Sequence, residues 1–136
     1  MKQVRQEVYE TNSSSSHSIS IASWNRKTIY DTLIPDEDGV IKLTGGDYGW
    51  EGGSSRDCLD KCNYCAQDTI NNQAYSDMLA EVICEHTGAR LVVFDCDGYI
   101  DHQSQGTSYD AFSSKDTLKE FLFNPRSYLD IDNDNH

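Results

Sequence analysis

Apolar residues recur along this chain with two periods, and each change of period marks a new element. In Lys2–Tyr9, Val4 and Val8 share a face with Gln6, and further on Ile19 and Ile21 alternate with Ser18, Ser20 and Ala22. Alternation of this kind predicts two strands joined by the polar run Glu10–Ser18. Trp24–Ile34 reads as a short helix or an irregular strand, closed by Pro35 and the acidic turn Asp36–Gly39. Val40–Thr44 is a further strand. Gly45–Ser55 holds five glycines beside Tyr48 and Trp50, which predicts a loop with Trp50 as its anchor in the core.

From Asp57 to Thr87 the period lengthens. Ala66, Ile70, Ala74, Met78 and Val82, with Leu79 and Ile83 beside them, predict one long amphipathic helix capped by Gly88. Arg90–Phe94 is continuously apolar and reads as a central strand, followed by an Asp97-Gly98 turn and an extended Tyr99-Ile100. After the polar loop Asp101–Asp110, Ser113 with Asp116 resembles a capping box opening a helix that buries Leu118, Phe121 and Leu122 and ends at Pro125. Tyr128–Ile131 is a last strand. The mixed order of elements predicts an α+β domain over residues 1–131, with one long and one shorter helix packed on a mixed or mainly antiparallel sheet, and a polar tail over 132–136.

The chain of 136 residues suits one domain with its own core. It carries 11 basic against 23 acidic side chains, a formal charge of −12, which repels phosphate backbones and argues against general nucleic-acid binding. The same excess suits a basic partner, or serves solubility alone. No apolar stretch resembles a signal peptide or a membrane span, so an intracellular, cytoplasmic setting without a membrane partner is expected. Five cysteines, three of them bunched, do not resemble a secreted disulfide framework.

Candidate chemistry begins in the serine segment. Thr11, Asn12, Ser13, Ser14, Ser15, Ser16 and His17 offer hydroxyls, an amide and an imidazole in a connection that can turn sharply and present several N–H groups to phosphate or carboxylate. The same composition also suits a linker, or side chains that cap a turn. Ser16 and His17 do not form a nucleophile–base pair, because neighbours on an extended chain point opposite ways.

Three other stretches imitate known sites. Cys58, Cys62 and Cys65 have the spacing of the cluster-binding loop of radical S-adenosylmethionine enzymes, but too little chain follows for the (β/α) barrel those enzymes need. With Cys84 or His86 they make a candidate zinc set, unless Cys62 and Cys65 simply pack one turn apart. Val92–Gly98, with Asp95 and Asp97, resembles the nucleophile loop of haloacid-dehalogenase-type phosphatases, though it comes late in the chain for that fold. Asp130–Asp134 alternates oxygen ligands like a calcium loop without its glycine turn or distal glutamate. Finally, His17 and His102, the latter oriented by Asp101, form an acid/base pair if folding joins them, with Ser104 nearby.

Taken together, Glu10–Ser18, Tyr99–Ser104 and the ending Phe121–Asn135 resemble a group of small phage and prophage proteins that open on a strand leading into Glu-Thr-Asn-Ser-Ser-Ser-Ser-His-Ser. The resemblance implies phage origin and an intracellular setting, and brings no reaction with it. The cysteine cluster is not associated with that group. The function expected is stoichiometric binding of a host or defence component by the acidic surface, or of a small anionic ligand by the serine segment. The alternatives are a small hydrolase or transferase acting on a phosphate-bearing substrate through His17 and His102, and a zinc module on Cys58, Cys62, Cys65 and Cys84. No cofactor is expected apart from that zinc.

Overall fold

A computed structural model describes residues 15–21, 33–48, 53–100, 104–124 and 126–133. The strand expected at Lys2–Tyr9, most of Trp24–Ile34, the Trp50 anchor and Pro35's counterpart stop at Pro125 lie outside these residues, except for Leu33 to Pro35 themselves. The chain folds as a small α+β domain. Its strands are β1 (Ser15–Ser20), β2 (Val40–Leu43), β3 (Asp47–Tyr48), β4 (Gly53–Ser55), β5 (Leu91–Phe94), β6 (Tyr99–Ile100) and β7 (Tyr128–Asn133). Its α-helices are α1 (Cys58–Asp68), α2 (Gln73–Thr87) and α3 (Lys115–Phe123), with a 3₁₀ segment over Thr107–Ser113.

The last strand of the chain is the middle one of its largest sheet. β7 pairs antiparallel with β1 on one side and β4 on the other, so that His17 and Gly53 both lie opposite Ile131. Pairing carries β7 through Asp132 and Asn133, two residues into the stretch expected to be tail, and carries β1 back to Ser15, inside the serine run. The expected Gly45–Ser55 loop likewise contains β3 and β4, because each has a strand to pair with: β3 runs parallel to β6, and β4 joins β7.

β5 is not central. Among the described residues it pairs only with β2, in parallel, and its burial is that of a rim: Val92 is buried, while Leu91, Val93 and Phe94 are 45%, 37% and 36% exposed. A short continuous apolar run carries no period that would separate a doubly covered strand from a singly covered one.

The expected long helix is two helices. Thr69 leaves the helical path, its hydroxyl donating to Cys65 O, and Asn72 restarts it by accepting from the Tyr75 N–H. Side-chain oxygens that compete with the backbone in this way favour helix ends over interiors. Ile70, placed on the apolar face by the single-helix register, sits in the break and is exposed. Asp57 caps α1 through the Asp60 N–H, and Gly88 ends α2 in the left-handed conformation, as expected of a C-terminal glycine. The cap of α3 is Ser114, one residue later than expected, and it accepts from the Thr117 N–H.

The core forms where α1, α2 and α3 meet β2 and β5. Leu43, Cys62, Cys65, Leu79, Val82, Ile83, Leu118, Phe121 and Leu122 are fully buried there. Of the helices, α1 is covered on nearly every side: Cys58, Lys61, Cys62, Tyr64, Cys65, Ala66, Gln67 and Asp68 are all buried. A helix surrounded in this way must satisfy its polar side chains inside the protein.

Candidate functional site

Each polar residue of α1 ties a different part of the chain. Asn63 Oδ1 accepts from Thr44 N and Gly45 N at 3.1 and 3.2 Å, at the end of β2. One turn on, Gln67 clamps the two parallel crossings: Oε1 accepts from Gly46 N and Gly98 N, and Nε2 donates to Gly98 O at 3.1 Å. Backbone meets backbone so closely here that a Cβ on Gly98 would stand 2.1 Å from Gly46 O. Only glycine fits that approach.

Lys61 and Asp68 are opposite charges two turns apart on α1, and each is held by neutral groups. Lys61 Nζ donates to Asn124 O at 3.1 Å and Ser127 O at 3.0 Å, just past α3, where the unpaired carbonyls at a helix end favour a cation. Desolvation lowers the pKa of this ammonium, against the pull of the nearby Cys58, Cys62 and Cys65 sulfurs. Asp68 accepts from Gly106 N at 2.7 Å and from Ser108 N and Oγ at 2.9 and 2.7 Å, so it organises the turn into the 3₁₀ segment.

Between them, Tyr64 meets the candidate histidine. His17, at 9% exposure on β1, brings Nδ1 to 2.8 Å from Tyr64 Oη, and Tyr48 packs edge-on against the same phenol ring at 4.8 Å. Nearby, the Thr107 hydroxyl donates to Ser104 O at 2.6 Å. Two proton orders satisfy the His17–Tyr64 contact: either Tyr64 donates to His17 Nδ1, or His17 Nδ1–H donates to the phenol oxygen. Burial pushes the Tyr64 hydroxyl well up and, with Asp60 next in effect, pushes Tyr48 up to about 12. Both stay neutral phenols, so Tyr64 meets His17 as a hydroxyl with no basic form at neutral pH.

Of the residues expected to bind a ligand, His17 and Ser104 are thus both buried, His17 bonded to Tyr64 and the Ser104 carbonyl accepting from Thr107. Ser15 and Ser16 belong to β1, so the cradle expected of them is in part sheet. Thr11, Asn12, Ser13 and Ser14 lie outside the described residues, as do Asp101 and His102 of the expected acid/base set. Tyr64, Lys61 and Asp68 were not singled out by sequence. Their signal was there in the spacing Lys61, Tyr64, Cys65, Asp68, which is one face of a helix.

No family model, curated protein or solved structure matches this chain. Its chemistry is therefore read from its own groups. Among the described residues no three of His, Cys, Asp and Glu gather as a metal requires, so Cys58, Cys62, Cys65 and Cys84 do not form a ligand set. The reason is the helix. A cluster-binding loop curls its thiolates together, whereas α1 spaces Cys58 and Cys65 by about 10 Å along its axis. Burial also pushes the Cys62 and Cys65 thiols up, which favours the protonated form that binds metal poorly. Cys84 stands on α2 and is only partly buried.

Asp95 follows the end of parallel strand β5, but its carboxylate is 3.2 Å from Lys42 Nζ, and both side chains are more than half exposed. Asp130 and Asp132 lie on an extended strand, whose straight path does not wrap oxygens around a cation.

The His17–Tyr64 bond gives a direct prediction. Tyr64→Phe removes the hydroxyl and leaves ring packing in place, so it should cost about 1–2 kcal/mol in urea unfolding, and the ring resonances of His17 should shift. An unchanged stability would show that His17 finds an equal partner elsewhere.

Proposed function

We propose that the protein acts by stoichiometric binding of a basic protein partner through its acidic surface, as a phage accessory protein would. One observation carries this reading: the described lysines are all engaged, while many of the described acids stand exposed without a basic partner. All four lysines among the described residues are engaged. Lys42 pairs with Asp95, Lys115 with Glu81 and Glu85, and Lys119 with Glu85, while Lys61 is buried on backbone carbonyls. By contrast Glu37, Asp47, Asp97, Asp110 and Asp116 are exposed with no ion pair among the described residues. These acids therefore face solvent unneutralised, in a chain whose formal charge is −12. A field of that sign steers basic partners and repels nucleic acid.

Anion capture by the serine segment has less support, since His17 is turned inward onto Tyr64 and Ser15 and Ser16 pair with β7. Among the described residues no helix is long and apolar enough to cross a membrane.

Native mass spectrometry of the protein taken from its expression host at low salt tests the reading. The expected result is a one-to-one complex with a basic protein that dissociates as ionic strength rises. A mass excess from a small anion or a metal, or a bare chain at low salt, would overturn it.

A further inference from the structure

The parallel pair β2–β5 is unfinished in two directions. Parallel sheets are ordinarily covered on both faces. Here the inner face, with Ile41, Leu43 and Val92, is buried in the core, while Leu91 and Val93 stand on the outer face at 45% and 37% exposure. The second direction is the strand's edge. Leu91 N and Asp95 N donate to Gly39 O and Leu43 O of the β2 side. Parallel pairing alternates, so the N–H and C=O groups of Val92 and Phe94 point to the opposite edge, where no strand pairs with them among the described residues. Nothing along β5 blunts this edge: Leu91–Phe94 contains no lysine, proline or glycine.

Charge selects the occupant. Acidic groups flank both ends of β5: Asp36, Glu37 and Asp38 in the turn whose carbonyls Gly39 O and Asp38 O bind Arg90, and Asp97 after the strand, where Asp95 is matched by Lys42. Arg90, held on Asp38 O, offsets only part of the charge of the three acids beside it. A second copy would bring two chains of −12 charge together at these ends.

We propose that the free edge of β5 is a strand-addition site for an extended basic segment of a partner protein, one whose apolar residues alternate with lysine or arginine. Backbone bonds to Val92 and Phe94 hold the segment, its apolar side chains extend the outer face of Leu91 and Val93, and its bases meet the acidic groups at either end. The proposal rests on the binding function argued above and names the site where it acts.

The test uses the full chain and a blocked alternating lysine–valine peptide, with an alternating glutamate–valine peptide as control. Fluorescence anisotropy measures affinity, and amide hydrogen exchange locates the contact. The expected result is saturable binding of the basic peptide, at least about tenfold tighter than the acidic one, with new protection at Val92 and Phe94. Leu91→Lys/Val93→Lys places charges on the outer face of β5 and should weaken binding by at least about tenfold, with far-UV circular dichroism and melting temperature unchanged. If that variant unfolds, Asp97→Lys, away from the core, should still weaken binding about threefold or more. Binding with protection elsewhere, untouched by the β5 variants, would overturn the site and leave the acidic-binding reading standing. No binding of the basic peptide would overturn the site. Concentration-dependent dimerisation abolished by Val93→Lys would overturn it in favour of self-pairing.

Discussion

Raising the pH to about 11 should unfold this domain, because its core holds acids that must stay protonated. Desolvation pushes the Cys62 and Cys65 thiols above the ordinary 9.0 and the Tyr64 phenol above the ordinary 10.0. For each, the folded state keeps a proton that the unfolded chain gives up. Stability from these groups is therefore complete below the unfolded value and falls once the pH passes it. Each fully committed group costs about 1.4 kcal/mol per pH unit. Two thiols from about pH 9 and a phenol from about pH 10 then remove up to about 7 kcal/mol by pH 11, as much as the whole stability of a domain in the lower part of the roughly 5–15 kcal/mol range.

Lys61 works the other way. Its lowered pKa makes the unfolded chain the better proton binder up to the ordinary 10.5, so it adds stability as pH rises and makes the first part of the decline shallow. Urea midpoints measured from pH 7 upward should thus fall gently past pH 9 and steeply past pH 10. Cys62→Val removes one ionising thiol and should flatten the decline by about 1.4 kcal/mol per pH unit. A midpoint that is level to pH 11 would mean that these groups ionise without unfolding the chain.

Replacing Asp68 by alanine should cost about 4 kcal/mol, measured by urea unfolding. The carboxylate accepts from Gly106 N and from both donors of Ser108, and all three would lose it at once. Asp68→Asn keeps one acceptor oxygen and should cost about half as much. Under Asp68→Ala, amide exchange should accelerate through the turn and the Thr107–Ser113 segment before the sheet is affected. A loss below about 1 kcal/mol would show that aromatic packing holds the segment instead, through Phe112 stacked on Tyr75 at 4.8 Å and Tyr109 edge-on to it at 5.0 Å.

Both effects arise on α1, and α1 is where sequence and structure part company. Its caps, its apolar period and the charges on the chain are local properties. So are the cap of Gly88, the buried Leu118, Phe121 and Leu122 of α3, and the α+β class itself, because a period of residues and a capping side chain act within a few residues of chain. The division of the long helix at Thr69–Asn72 was also local in cause. It was hidden because the apolar period continues across the break while the hydrogen bonds do not.

What no local pattern contained is which element lies at the centre. The most apolar strand, β5, went to a rim, and the polar β7 went to the middle of the main sheet, since pairing is set by partners distant in sequence such as His17 with Ile131. The same distance governs the site. His17 meets Tyr64 across 47 residues, and Asp68 meets Ser108 across 40. Composition and period determined that this chain is acidic, α+β and single-cored. Tertiary structure alone decided which acids its lysines pair with, that α1 carries the buried polar network, and that one edge of β5 has no strand beside it among the described residues, because burial and hydrogen-bond partnership belong to the packed whole and not to any segment of it.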